Sequence, residues 1–434
     1  MKNWKTVKLG DVCYTTSGGT PSRGNSEYYN GNIPWVKSGE LDKGLILDTE
    51  EKISEEALQN SSAKLFPKGT LLIALYGATI GKLAFLGIEA ATNQAVCGIY
   101  QNENINSDFL FNFLFFKKQH LVKQSIGGAQ PNISQGILKN LEIPLPPLPE
   151  QKKIVEKIEE LFSGLDSGVA SLKKAKEQIR LYRQSVLASA FSGHLHQDSS
   201  DYKINKIKEK NKSGKSFNPE NHGSDNLPDG WKWVKLGEVV ESIRYGTSKK
   251  CYYEKEGKPV LRIPNIINGY INDEDLKYSE FNNDEIEDLS LIENDILIIR
   301  SNGSISIVGK SAIVSSKHKG FLYAGYLIRI RLRAESYSSK FLNLLLSSNQ
   351  LRNQIEFKAK STSGVNNINA QEIQAFNIPL PPLTQQTQIV EEIEKRFSEA
   401  DNLEKAIDES LIKAETLRQS ILKQAFSGKL KMNN

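Results

Sequence analysis

The chain is written twice. Residues 4–12 read WKTVKLGDV and residues 231–239 read WKWVKLGEV; IPLPPL stands at 143–148 and again at 378–383; RQSVLASAFSGHL at 183–195 is answered by RQSILKQAFSGKL at 418–430. Self-similarity on this scale means one supersecondary plan used in two copies, and any fold assigned to the chain must accommodate it. The stretches after each proline block repeat without change of length, whereas those before it match loosely and differ in length. Each copy is therefore a variable head followed by a constant tail.

The tails read as long helices. Pro144, Pro146, Pro147 and Pro149, and then Pro379, Pro381 and Pro382, exclude a helix interior, so a helix is expected to begin near Glu150 and near Gln385. In the first tail Ile154, Ile158, Leu161, Leu165, Val169, Leu172, Ile179, Tyr182, Val186 and Ala190 recur at threes and fours. In the second, Ile389, Ile393, Phe397, Ala400, Leu403, Ile407, Leu411, Ala414, Leu417 and Ile421 do the same. Such stripes flanked by Glu, Lys, Gln and Arg predict a coiled-coil seam, with Ile158, Leu165, Leu172, Ile179 and Val186 facing Ile393, Leu403, Ile407, Leu411 and Leu417. About 40 residues give a rod of roughly 60 Å, and Ser-Gly at 192–193 and 427–428 supplies the stop. Neither helix can bury its stripe alone. The simplest partner is the other copy, and an antiparallel pairing would place one head at each end of the rod; two homodimerising zippers would not explain two matched tails in one chain.

The organisation expected is a head over 1–142, a proline block and helix over 143–195, a polar linker over 196–228, a second head over 229–377 and a second block and helix over 378–434. The linker has few apolar residues and no periodicity, and its lysine run from Lys206 to Lys215 reads as a solvated spacer. Within the heads, LFPKGTLLIALYGATIGK at 65–82 parallels LIENDILIIRSNGSISIVGK at 291–310, each read as a strand, a turn and a second strand ending in Gly-Lys. GGAQPNIS at 127–134 likewise parallels SGVNNIN at 363–369.

The sequence lacks the marks of an active site. No Gly-x-Gly-x-x-Gly follows a strand, and no Asn-Pro-Pro-aromatic run is present. Gly303 to Ser311 nearly spells a phosphate-binding loop, but five residues separate its glycines where four are needed, so a hairpin turn is expected. The five histidines, 120, 194, 196, 222 and 318, form no metal spacing, and Asp275-Leu276-Lys277 is too short a triplet to count as a nuclease motif. Cys13, Cys97 and Cys251 are an odd, scattered set, expected to be free thiols of a reducing cytoplasm. No apolar run approaches membrane-spanning length, so no membrane partner is expected. A net charge of +5 decides nothing about partners.

What the heads do carry is polar turn chemistry. Base reading needs donors and acceptors on tips that enter a groove, with Arg or Lys for phosphate. In the first head the candidates are Ser17, Thr20, Arg23, Lys37, Tyr76, Thr79, Lys82, Asn93, Gln94, Gln130 and Asn132. In the second they are Arg244, Tyr245, Thr247, Arg262, Asn265, Arg300, Asn302, Ser304, Lys310, Asn366 and Asn367.

The order GGTPS, IPWVKSGEL, YGATIGK, NQA and then IPLPPLxxQ leading into a heptad helix resembles the specificity subunits of type I restriction-modification systems. The resemblance spans the whole chain, although the second head has RYGTSKK where the first has SGGTPSR. It implies an α+β chain: two mixed α/β target recognition domains joined by two helices in an antiparallel coiled coil, a pseudo-twofold repeat. It also implies that each domain reads one half of a bipartite, asymmetric target in double-stranded DNA, while the helices set the gap and dock two modification subunits. Those partners would bind S-adenosylmethionine and methylate adenine, ATP-dependent restriction subunits would translocate and cut, and this chain would hold no cofactor and no catalysis. A related system cutting on both sides of its site, a fused methyltransferase or nuclease, and a two-headed protein-binding scaffold are the alternatives.

Overall fold

A computed structural model describes residues 4–125, 132–193, 195, 227–333, 335–362 and 364–431, with the side chains of 360–362 outside the description. The chain divides into two compact units, Met1–Lys173 with Asp408–Asn434, and Lys174–Ile407. Most of the expected linker, and with it His196, His222 and the lysine run, falls outside the described residues, as does His194.

In the first unit, Lys5–Lys8 pairs antiparallel with Glu142–Leu145, so the start of the head is stitched to the proline block. Pro144 lies opposite Thr6 in this isolated pair, where a missing N–H is tolerated. A five-stranded sheet runs in the order Thr15–Ser17, Val96–Ile99, Leu71–Ala74, Leu83–Leu86, Leu45–Ile46. A four-stranded sheet runs Glu51–Ile53, Ile33–Val36, Ala90–Thr92, Leu65–Phe66. The second unit repeats the plan. Lys232–Lys235 pairs with Asn377–Leu380, with Pro379 opposite Trp233. The main sheet is Val240–Tyr245, Leu327–Leu332, Ile296–Ile299, Ser311–Ile313, and Lys258–Leu261 lies between antiparallel Lys277–Ser279 and parallel Leu322–Tyr323. The central strands Leu71–Ala74 and Ile296–Ile299 are buried on both faces, as their unbroken apolar runs require.

The Gly-Lys landmark differs from its expected place. The second strand follows Gly-Lys rather than ending in it, beginning at Leu83 and at Ser311. Gly81 and Gly309, at φ +73° and +85°, donate to Ala74 O and Ile299 O at 2.9 and 2.7 Å and turn the chain back onto the central strand. A left-handed residue is needed there, and glycine adopts it without strain. A strand, not a helix, follows Gly303–Ser311, so this loop is a connection between antiparallel strands.

The tails are 44-residue helices, Leu148–Phe191 and Leu383–Phe426, each starting two residues earlier than expected. Pro149 sits in the first turn of its helix, where a proline has no hydrogen bond to lose. Both helices end at Phe-Ser-Gly with the glycine left-handed, φ +78° at Gly193 and +71° at Gly428, a helix-terminating conformation. The helices run antiparallel within each unit. In the first, Ile154, Val155 and Ile158 share a core with Leu422, Ala425 and Phe426. In the second, Val186, Leu187, Ala190 and Phe191 share one with Ile389, Val390 and Ile393. The terminal phenylalanines explain the repeated AFSG. Phe426 meets the rings of Phe109, Phe113 and Phe116 at 5.2, 5.2 and 5.8 Å, and Phe191 meets Phe341 at 5.1 Å. Each tail thus ends in the core of the head belonging to the other copy.

The seam needs a correction. Ile158, Val186 and Ile393 are buried and Leu165, Leu172, Ile179, Ile407 and Leu411 half-buried, but Leu403 and Leu417 stand 59% and 51% exposed. Their places are taken one residue on, by Glu404 and Arg418, which reach across to the other helix. Arg183 meets Asp401 at 2.6 Å and Glu404 at 3.3 Å, and Arg418 pairs with Asp166. From Ala400 a step of three or of four both lead to Ile407 in seven, and the packing takes the four.

Candidate nucleic-acid interface

In each head the polar tips converge where strand ends meet, and the backbone there is the same in both copies. The N–H of Gly18 donates to Val96 O and that of Gly246 to Leu327 O, both at 3.2 Å. Gly19 donates to Thr92 O and Thr247 to Tyr323 O, both at 2.9 Å. Asn93 donates to Val36 O at 3.0 Å, and Ala324 to Leu261 O at 2.9 Å. A Cβ at Gly18 would lie 2.1 Å from the Thr92 carbonyl oxygen, and one at Gly246 2.3 Å from that of Tyr323, so close approach of backbones explains both glycines.

On this common frame the first head places Thr20 against Gln94, and Ser17 accepts from Gln135 Nε2 at 2.8 Å. Arg23 lies over the rings of Tyr29 and Trp35, 4.2 and 5.1 Å from their centroids, and binds Glu51 at 2.7 Å. Lys37 reaches Glu50 and Glu51 at 2.9 and 3.0 Å. The Arg23 hydrogen bond holds the Glu51 carboxyl below its usual range, and Glu50 and Glu51 raise the Lys37 ammonium. Tyr76 pairs with Asn132 in a β-bridge, and the hydroxyl of Thr79 donates back to Tyr76 O at 2.8 Å. The side-chain carbonyls of Asn93 and Asn132 are shielded and lack a hydrogen-bond partner among the described residues, and Gln94 is exposed. Lys82 is tied to Asp42. Gln130 lies outside the described residues.

The second head has a cleft of about 690 Å³ lined by Tyr245, Thr247, Lys249, Cys251, Arg262, Lys277, Arg300 and Tyr326 among others. Arg262 is held by Asp275 at 2.8 Å, and Lys277 lies 4.5 Å from the centroid of the Tyr253 ring. Beside it, Ser301–Asn302 pairs with Val365–Asn367, bringing Asn302, Ser304, Asn366 and Asn367 to one tip, where Asn366 Nδ2 donates to Gly303 O at 3.0 Å. Arg244 is turned to Asp288 at 2.6 Å, and Lys310 is exposed beside the Gly-Lys turn. Asn265 corrects the expectation. At 1% exposed it is no groove reader; its side chain accepts from Arg262 N at 2.7 Å and donates to the carbonyls of Asn272 and Asp275, both at 2.9 Å. Glu40 makes the matching bond to Lys37 N at 2.8 Å in the first head, so both residues brace the turn that presents a cation, Lys37 or Arg262.

Sequence reasoning missed Lys249, Lys277, Tyr253 and Tyr326. The available signal was the interleaving of basic and aromatic residues in Lys249-Lys250-Cys251-Tyr252-Tyr253 and Lys277-Tyr278, a composition suited to phosphate and base contacts. Among the described residues no group of His, Cys, Asp and Glu is arranged to hold a metal ion, and no helix is long and apolar enough to cross a membrane.

Comparison with known proteins agrees with this geometry. The type I restriction modification DNA specificity domain matches twice, over residues 1–179 and 228–413. The EcoKI specificity subunit of Escherichia coli is 28% identical over 406 residues, 92% of this chain and 82% of the relative. The StySPI specificity subunit of Salmonella potsdam is 26% identical over 440 residues, covering 99% and 89%. Among solved structures, a chain from work on the assembly and conformational transition of the type I R-M system aligns with TM-score 0.73 at 23% identity, covering 99% of both chains. The HsdS subunit of Thermoanaerobacter tengcongensis aligns with TM-score 0.51 at 22% identity, covering 99% of this chain and 98% of that one. Two heads on one frame, two paired helices and two matches of one domain leave a single assignment: the chain belongs to the type I restriction-modification DNA specificity family.

Proposed function

We propose that the chain is the sequence-reading subunit of a type I restriction-modification complex, each head reading one half of a bipartite DNA target. The observation that carries this is the shared frame with unlike contents. Identical backbone bonds hold Ser17, Gly19 and Lys37 in one head, and Tyr245, Thr247 and Arg262 in the other. A duplicated scaffold with exchanged tips is what two different half-sites require. Neither head needs high affinity, since linking two readers makes the second contact intramolecular.

In this reading methyl transfer and cleavage belong to partners, two modification subunits using S-adenosylmethionine and ATP-dependent restriction subunits, assembled in the cytoplasm on double-stranded DNA. The relatives are named specificity subunits, which supports a recognition role without catalysis. Exchange of residues 1–140 for another head, followed by methylation profiling of a genome carrying the complex, is the test. One half of the methylated motif changes and the other persists; a change in both halves overturns modular reading. Purified chain incubated with S-adenosylmethionine and DNA yields no methylated or cut product, and its affinity for DNA falls steeply with salt as counterions are released.

A further inference from the structure

Leu75 and Arg300 occupy one position in the two copies. Each follows directly on the central strand. Leu75 N–H donates to Ala95 O at 2.8 Å and Arg300 N–H to Tyr326 O at 2.9 Å, and each carbonyl accepts from the isoleucine of the returning segment, Ile133 or Ile368, at 2.9 Å. Leu75 is buried in the core of the first unit, so this frame is satisfied by an apolar side chain. In the second head the same place carries a half-buried guanidinium that lines the cleft.

An arginine withdrawn from water is costly unless its charge and donors are met. Several other arginines of this unit have the charge met by a carboxylate. Arg262, Arg331 and Arg352 each have a carboxylate at 2.8 Å; Arg329, buried in the sheet, makes long contacts of 3.3 and 3.4 Å to the carbonyls of Asp288 and Ser290, and its Nε and that of Arg262 lack a partner among the described residues. Arg300 has no carboxylate among the described residues. Its Nε also lacks a partner, and among the described residues its side chain makes one hydrogen bond, a long 3.4 Å contact from Nη1 to Gly325 O. It is nevertheless held in place: the guanidinium lies 4.9 Å from the ring of Tyr245, whose hydroxyl is fixed by accepting from Ala370 N–H at 2.9 Å. The group is oriented, and most of its donors are unspent.

We infer that Arg300 is the guanine-reading side chain of the second head, its planar fork donating to O6 and N7 of one guanine in the major groove. The first head has no such fork at this position. It carries the amides Asn93 and Gln94 where the second head has Ala324 and Gly325, and amides suit adenine. The inference rests on the DNA-reading function proposed above and adds to it which group reads which base.

The test uses the full chain in its complex, with the target first defined by methylation profiling. Arg300→Leu installs the residue the frame already accepts. It relaxes the motif at one guanine in the half read by the second head and leaves the other half intact. Replacing that guanine by 7-deazaguanine, which removes only the N7 acceptor, lowers wild-type affinity about tenfold or more and leaves the Arg300→Leu complex indifferent. Arg300→Lys, which keeps the charge and loses the fork, also relaxes the guanine. A guanine requirement surviving in both variants overturns the assignment. So does a loss of affinity equal for all sequences with a shallower salt dependence, the mark of a phosphate contact. If the wild-type complex shows no half-site preference, the DNA-reading function itself fails, and this assignment with it.

Discussion

Gln151 and Gln386 are the same residue in two copies, each fully buried at the start of its long helix. The side-chain oxygen of Gln151 accepts from Asn106 N at 2.8 Å, and that of Gln386 from Ser338 N at 2.7 Å. Each amide donates at 2.9 Å to a carbonyl of its proline block, Pro146 or Pro381. Asn106 and Ser338 are the caps of the head helices Ser107–Gln124 and Ser339–Leu346. The glutamine of IPLPPLxxQ therefore joins head, proline block and tail at one point.

Replacing either glutamine by leucine strands a buried cap N–H and a carbonyl. At roughly 1–3 kcal/mol for each of the two orphaned groups, Gln151→Leu and Gln386→Leu lower stability by about 2–6 kcal/mol. Denaturant titration of each variant checks this, and an unchanged midpoint would contradict it.

The revised seam and the helix end make opposite predictions for apolar residues of the second tail. Leu403→Gln and Leu417→Gln, on exposed side chains, change stability by less than about 0.5 kcal/mol. Phe426→Ala, which empties the site between three phenylalanine rings, costs about 3–5 kcal/mol. Calorimetric melting of the three variants separates this seam from the one that periodicity suggests.

Burial drives the His318 imidazole below its ordinary range; Asp273, 3.7 Å from Nε2, opposes the shift and Lys317 adds to it. As pH falls through about 6.5, the unfolded chain takes up a proton that the folded one refuses. Stability therefore declines from about pH 6.5 down to the folded value, and is independent of this group above it. Thermal melts between about pH 7.5 and 5.5 should show the decline, and His318→Gln should flatten it.

Burial pushes the thiols of Cys13 and Cys97 up to about 11 and about 12; it raises that of Cys251 as well, but this thiol is half-exposed and lines the cleft of the second head, where a reagent reaches it. Thiolate is the reactive form, so an alkylating reagent at about pH 8 labels Cys251 first. Bound target DNA slows that labelling. Mass spectrometry showing Cys13 or Cys97 labelled as fast, or no protection by DNA, would place the interface elsewhere.

Much of this was legible without coordinates. The duplicated motifs imply two heads and two tails because repeats fold alike, and Pro and Ser-Gly mark the helix ends to within two residues because they act on the local backbone. The Gly-Lys landmarks were visible, but which side of them the strand lay on depended on a non-local return to Ala74 and Ile299. Asn265 looked like a groove reader because its burial is set by the Asn272–Asp275 turn folding over it.

Periodicity alone determined that the tails are amphipathic helices in need of an apolar partner, since spacing along a helix maps directly onto a face. Only tertiary structure decided that Glu404 and Arg418 displace Leu403 and Leu417, and that Arg300 stands where its twin is Leu75. A 3.5-residue repeat admits two registers, and the choice lies in what the opposite helix offers. Likewise, equivalence between heads of different length is defined by hydrogen bonds across a sheet, which no linear spacing records.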